Sequence, residues 1–276
     1  MSEKRIKLIL IIAGSAFMLS FFMIPIIYMV ITSLARKPDF LSQHTLFSFA
    51  LENYRSVLKI KSLHFIDYLW NSLWVSGISA FFCVLIAGLA AYAMTRLTFP
   101  GKVFLLLFVL AVSMFPQISL VGYIYKLLEG AGWINTYQGL ILPYIAWILP
   151  LSLWILVSYF AQIPRELDRA ALIDGCTNRQ VVQKIIFPIA APGLFSTALL
   201  AFIFAFNEFM FALMLTTDYR SRTIPVGIAL FQGLHGEIPW GTIMAASTLS
   251  VLPILILIIA FQRHIIQGLT RGAVKG

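Results

Sequence analysis

RELDRAALIDGCTNRQVVQKIIFPIAAPG, residues 165–193, is a strongly polar interval between two apolar runs that are each long enough to cross a bilayer. Its local signals describe two short helices joined by a tight turn. Pro164 suits the first turn of a helix, where a missing N–H costs nothing, and Glu166 and Asp168 fall near the positive end of the dipole. Gly175 is the expected stop, because glycine tolerates the left-handed backbone that ends many helices. Thr177 and Gln180 have the spacing of a capping box and predict the start of a second helix. That helix places Val181, Val182, Ile185 and Ile186 on one side before an interruption at Pro188. The expectation is a compact bent unit on the membrane surface. An ordinary amphipathic loop would share this pattern, and Ala171, Gly175 and Val181 have about the spacing of a DNA-binding helix-turn-helix. The DNA reading is disfavoured: Glu166, Asp168 and Asp174 balance the basic residues and the segment is tethered between spans, so no nucleic-acid partner is expected.

Outward from this interval the chain is dominated by apolar sequence. Of its 276 residues 60% are hydrophobic and 11% charged, far more apolar than a soluble globular protein. Six runs approach or exceed the roughly 20 helical residues that a bilayer requires: 8–33, 69–94, 103–126, 140–161, 194–215 and 242–261. The expected class is an all-α, polytopic membrane protein with six transmembrane helices. The first run follows Lys4, Arg5 and Lys7 as in a signal peptide, but its apolar part is too long and no convincing small-residue cleavage site follows, so a retained anchor is expected. The domain reading is an anchor helix and long loop over 1–68, a core over 69–262 that includes the polar loop 162–193, and a tail over 263–276.

The net charge of +9 is scattered through short loops and reports membrane orientation better than a nucleic-acid patch. One alternating set of segments (the N-terminus, 95–102, 162–193 and the tail) carries twelve of the 20 Lys and Arg, among them Arg96, Arg165, Arg169, Arg179 and Lys184. The other set carries eight, five of them in the long loop 34–68, where the charge rule is weaker. Both termini and the 162–193 loop are therefore expected on the cytoplasmic side.

Pro25, Pro116, Pro143, Pro150 and Pro253 fall inside the runs and predict kinks. Glu208, beside Asn207 in AFNEFMFAL, is the one acidic residue well inside an apolar run, and it should face protein or water. Two readings stand for it: a polar group on a translocation path or partner contact, and a hydrogen-bonded or protonated structural glutamate. Tyr68, Trp70, Trp133, Tyr137, Trp154, Tyr159 and Trp240 cluster near span ends, as an interfacial belt or as stacking surfaces for sugar rings. Cys83 and Cys176 read as free thiols, and His44, His64, His235 and His264 lack metal-ligand spacing, so neither a metal nor a cofactor is expected.

Catalytic signals are missing as well. Gly101-Lys102 precedes Val103 and lacks the upstream glycine of a phosphate-binding loop, and no nucleophile or paired-carboxylate constellation stands out, so the chain is expected not to be an enzyme. An ion-gradient-driven secondary transporter of a small polar solute is the alternative function. It would need a coupling-ion site and often an inverted repeat, whereas one buried carboxylate and no repeat are visible.

Arg169-Ala170-Ala171, Asp174-Gly175 and the ending Ile185, Phe187, Pro188 resemble the EAA loop of ABC importer permeases, whose usual form is Glu-Ala-Ala, a Gly, and Ile-x-Leu-Pro. RLTFPGK at 96–102, MFPQISL at 114–120 and the closing GLTRGAVKG at 268–276 extend the resemblance over nearly the whole chain, the last toward the carbohydrate branch that includes the maltose-type importers. The resemblance implies the type I permease fold in the cytoplasmic (inner) membrane of a prokaryote and import of a sugar or related polyol. It also implies a second homologous permease, a pair of ATP-binding cassette ATPases and an extracytoplasmic solute-binding protein as partners. It assigns ATPase coupling to Arg169, Ala170, Ala171, Asp174, Gly175 and Pro188, and supports Asn207 and Glu208 as substrate-pathway or partner contacts. Arg169 stands where the family has Glu, which leaves Asp168 as the neighbouring carboxylate able to take its place, and Phe187 replaces Leu.

Overall fold

In lipid a chain must satisfy its backbone polar groups internally, and the apolar runs of this protein do so as helices. The structure, a computed structural model, describes residues 3–35, 49, 51–231 and 238–273, with the helical backbone alone described over 263–273. His44, His235 and the closing Val274, Lys275 and Gly276 lie outside the described residues.

In chain order the elements are α1 (Glu3–Leu34), α2 (Glu52–Lys59), a 3-10 turn (Lys61–Leu63), α3 (Phe65–Arg96), α4 (Lys102–Ser113), α5 (Gln117–Gly130), α6 (Tyr137–Phe160), α7 (Glu166–Ile173), α8 (Asn178–Val181), a π turn (Val182–Ile186), α9 (Phe187–Phe206), α10 (Met210–Leu215), α11 (Ile224–Ala229) and α12 (Trp240–Ala273). Among the described residues five helical stretches are long and apolar enough to cross a bilayer: Lys7–Leu34, Lys61–Arg96, Tyr137–Phe160, Asn178–Phe206 and Trp240–Gln262. A sixth crossing results when α4 and α5, which meet at 90°, count as one bent span.

Four expectations need correction. The run 103–126 is broken rather than kinked, because Pro116 has extended backbone (φ −67°, ψ 131°) and starts α5 after α4 has ended. Pro25, Pro143, Pro150 and Pro253, by contrast, stay inside helices. Pro188 does not interrupt the helix that Thr177 begins. The π turn just ahead lets Phe187 N–H donate to Val182 O, and this wider turn absorbs the proline without ending the rod. Likewise, the run 194–215 is not one helix: α9 ends at Phe206, and Asn207 and Glu208 separate it from α10. Lastly, the closing segment expected as a tail continues α12 as far as Ala273.

The described residues form two compact units. In the unit drawn from 1–66 and 227–252, α2 is stapled to the end of α1: Asn53 Nδ2 donates to the carbonyls of Ser33 and Ala35 at 2.8 Å each, and the Ser33 and Tyr54 hydroxyls share a 2.7 Å hydrogen bond. The long side chains of α1, such as Leu10 (66% exposed) and Phe17 (65%), lie open, as suits a lipid-facing anchor.

The unit drawn from 67–226 and 253–276 holds the main core. Ala87 and Ala91 of α3, Leu140, Tyr144, Leu156 and Phe160 of α6, and Ala190, Ala201 and Phe206 of α9 are all buried in it. Small residues set the closest approach, as expected where membrane helices associate by packing. Gly193 is the clearest case, since a Cβ there would lie 2.6 Å from the Tyr159 ring. Ser196 and Thr197 donate to the Gly193 carbonyl, so their hydroxyls are satisfied within α9.

Gly193→Ala is expected to lower the thermal denaturation midpoint of the detergent-solubilised protein through an overpacking cost of about 1–3 kcal/mol. An unchanged midpoint would show that α6 and α9 do not approach this closely.

Candidate functional site

The polar interval folds into the bent unit its caps foretell. α7 starts at Glu166, with Pro164 just ahead of the N-cap residue Arg165. It ends in a complete Schellman motif: Cys176 N–H donates to Ala171 O at 3.0 Å and Gly175 N–H to Leu172 O at 3.1 Å. Gly175 has φ +84°, which a β-branched residue resists. Two residues on, Thr177 Oγ1 accepts from Gln180 N–H at 3.3 Å while Gln180 Oε1 accepts from Thr177 N–H at 2.8 Å, so the capping box is fully formed. The turn between α7 and α8 is thus held by backbone hydrogen bonds on one side and side chain–backbone bonds on the other, and α8, the π turn and α9 run on without a gap.

Burial divides this unit into an inner and an outer side. Ala171, Val181 and Ile186 face the core, with Val182 and Ile185 half-buried beside them. Arg169, Ala170, Asp174, Gly175 and Pro188 are exposed, as are Leu172 (48%) and Ile173 (85%). Of the two alanines, Ala171 therefore packs inward and only Ala170 faces out. Asp168 points inward as well, its Oδ2 3.0 Å from Arg96 Nε, and so does not offer a carboxylate in place of Arg169.

At the other end of α9 the break at Asn207 and Glu208 opens a second polar region. Glu208 is buried (9% exposed), and its carboxylate accepts from Phe211 N–H at 2.8 Å and Ala212 N–H at 3.1 Å. It satisfies amides at the start of α10 that would otherwise be orphaned and buried. Asn207 is exposed, with Nδ2 donating to Ile203 O at 2.8 Å. The two neighbours are thus separated: Glu208 is engaged by its own chain and Asn207 reaches the surface.

Beyond α10 the chain folds over the start of α3. Asn71 Nδ2 donates to the carbonyls of Tyr219 and Arg222 at 2.9 Å each, Tyr137 Oη donates to Asn71 Oδ1 at 2.6 Å, and Ile224 N–H donates to Ser72 Oγ at 2.7 Å. Asn135, with φ 59°, accepts on Oδ1 from Thr217 N–H, Asp218 N–H and Ser221 Oγ. Hydrogen bonds from the Asn135 side chain, first, and from the Arg220 amide hold the Asp218 carboxyl below its ordinary value. None of Asn71, Asn135 and Tyr137 announces this role in sequence; an asparagine in a loop that needs positive φ is the one signal Asn135 offers.

The remaining singled-out residues are dispersed. Tyr68 and Tyr159 are buried, the latter against Gly193, and so belong to the core rather than to an interfacial belt, whereas Trp70 and Trp154 are exposed. Cys83 and Cys176 are free, with the Cys83 thiol 3.4 Å from Ser152 Oγ. Among the described residues no three His, Cys, Asp or Glu side chains gather as a metal-ligand set.

A family model described as "Binding-protein-dependent transport system inner membrane component" matches residues 83–271. The trehalose/maltose transport system permease protein MalG of Thermococcus litoralis is 53% identical over 277 residues, spanning all of both chains. The trehalose transport system permease protein SugB of Mycobacterium tuberculosis is 42% identical over 82% of each chain. In three dimensions the chain is similar to a chain of a bacterial ABC transporter involved in the import of the acidic polysaccharide alginate, with a TM-score of 0.78 at 18% identity over 95% of this chain and 98% of that one. A chain of the MetNI methionine ABC transporter shares the fold more distantly, with a TM-score of 0.58 at 20% identity over 76% of this chain and 98% of that one. The chain belongs to the family of binding-protein-dependent transport system inner membrane components, and is a multi-pass membrane permease of a binding-protein-dependent importer rather than an enzyme.

Proposed function

We propose that this chain is one of two homologous permease subunits of an ATP-driven importer for a disaccharide of the trehalose or maltose kind. The full-length likeness to a permease named for trehalose and maltose supports the substrate class. In this reading both termini are cytoplasmic, an ATP-binding cassette ATPase dimer docks from that side, and an extracytoplasmic solute-binding protein delivers the sugar. The single observation that carries the coupling assignment is a rigid corner that leaves Ile173 85% exposed beside Arg169, Ala170, Asp174 and Gly175. An apolar side chain held so far out of the bundle, on a helix locked at both ends, suits insertion into a groove of a soluble motor.

Motion follows from the same geometry. ATP-driven closure of the motor subunits displaces α7, and the formed caps pass the displacement to α8. The uninterrupted helical path through Pro188 then carries it along α9 to the break at Asn207. Two arrangements of the helices, one open to each side, are exchanged as the motor binds ATP and releases products. Asn207 is the residue at the break free to contact sugar or the partner permease. Glu208 acts there through α10, by holding its first amides.

Vesicles containing the assembled complex are expected to take up radiolabelled trehalose or maltose with ATP inside and binding protein outside. Uptake driven by an ion gradient without ATP would support a secondary carrier instead. Gly175→Val forces a β-branched residue into positive φ at about 1–2 kcal/mol, and is expected to cut sugar transported per ATP while the protein stays inserted. Gly175→Asn, which tolerates that backbone, is expected to stay closer to wild type, and full coupling in the valine variant would contradict the corner as coupling element.

Glu208→Ala leaves the Phe211 and Ala212 amides without their acceptor and is expected to lower stability by about 1–3 kcal/mol, with Glu208→Gln intermediate. Asn207→Ala should change the apparent KM for sugar with little change in thermal midpoint. Wild-type stability in Glu208→Ala would return the carboxylate to the pathway.

A further inference from the structure

Three contacts tie the surface unit to the end of α3. Arg96, the last residue of α3, donates from Nη2 to Ile163 O at 3.0 Å and brings Nε to 3.0 Å from Asp168 Oδ2. In return Arg165 Nη2 donates to Thr95 O at 2.6 Å, a last-turn carbonyl that lacks an intrahelical partner. The placement is electrostatically consistent, with guanidinium groups at the negative end of α3 and a carboxylate in the first turn of α7. The Arg96 and Asp168 side chains are 7% and 15% exposed. Among the described residues the Asp168 carboxylate has no hydrogen-bond donor of good geometry, so Arg96 is the cation that compensates its burial. Such a pair adds little net stability but is costly to break from one side, which suits a linkage better than a source of folding energy.

The far ends of the two rods give this linkage a use. α9 leaves the surface unit and ends at the Asn207 break, whereas α3, held at Arg96, reaches the same 207–224 segment through Asn71 and Ser72. A surface unit joined to α9 alone would push one side of that segment against a stationary α3.

We propose that Arg96, Arg165 and Asp168 are positioning residues that brace α7 to α3, so that a displacement of the surface unit reaches the 207–224 segment through α3 and α9 together. The proposal rests on the coupling role assigned above to the surface unit. It also removes Asp168 from contact with a motor, leaving Arg169 and Asp174 among the charged side chains presented there.

The test uses the complex recovered from membranes, reconstituted in liposomes, with radiolabelled trehalose and maltose as probes and sugar transported per ATP hydrolysed as the readout. Asp168→Asn, nearly identical in shape, and Arg96→Ala are each expected to lower that ratio about fivefold or more, with ATP hydrolysis retained. The double variant Arg96→Ala/Asp168→Asn should be no worse than either single variant, because it leaves no unpaired buried charge. Full coupling in Asp168→Asn while Gly175→Val is uncoupled overturns the brace and spares the coupling reading. Full coupling in both variants overturns the coupling reading itself. A distance measurement with the brace residues intact stands apart from variant folding: in a background with Cys83 and Cys176 replaced by serine, nitroxides at the exposed positions 97 and 172 should keep one separation with and without ATP, and an ATP-dependent change in it overturns the brace.

Discussion

The constraint on which the rest depends is that backbone groups of a chain in lipid have no water to fall back on, so every interruption of a helix must be answered from within the chain. This protein interrupts its helices at several points, and three of the interruptions are answered in different ways. The corner after α7 is closed by a Schellman motif and a capping box. The proline at 188 is accommodated by a π turn. The break at the end of α9 is met by the Glu208 carboxylate on the first amides of α10. The buried break is the costliest of these to disturb, because losing the Glu208 carboxylate leaves donors unpaired away from water at about 1–3 kcal/mol each, whereas the corner after α7 faces outward and is held by its interlocking caps.

In the proposed coupling, stiffness at those points would make a lever of a set of membrane helices. The exposed side of α7, the unbroken path through α8 and the π turn, and the length of α9 form one line from the surface unit to the polar segment at the opposite end. The Asn71, Ser72 and Asn135 side chains gather the backbone of that segment, so the proposed push would meet a loop that is already organised. Small residues at the α6–α9 contact, Gly193 above all, let the line run close against its neighbour.

Local signals were the legible part of the sequence. The six apolar runs, the stop at Gly175, the capping box and the inward side of Val181 and Ile186 all follow from residues within a few positions of one another. Their physics is complete without tertiary context. Misreadings arose where a neighbour changes a residue's meaning. Pro188 reads as a helix breaker until the π turn ahead of it is seen. Glu208 reads as the interior of a span because averaged hydropathy does not register a two-residue break. Asp168 reads as a free surface carboxylate because Arg96 lies far off in sequence, and a 3.0 Å approach between them depends on the packing of α3 against the loop. Arg169, by contrast, is visible in the sequence as a departure from the family's Glu, and it is exposed.

The central claim is that the path from the surface unit to the end of α9 moves as a rigid rod. Its most direct test is a distance distribution between nitroxides at positions 173 and 204, both exposed, in a background with Cys83 and Cys176 replaced by serine. Measured in the assembled complex with and without ATP, a single narrow distribution that does not shift is the expected result. A distribution that broadens or splits when ATP binds would contradict the claim, because the displacement would then be lost within the rod.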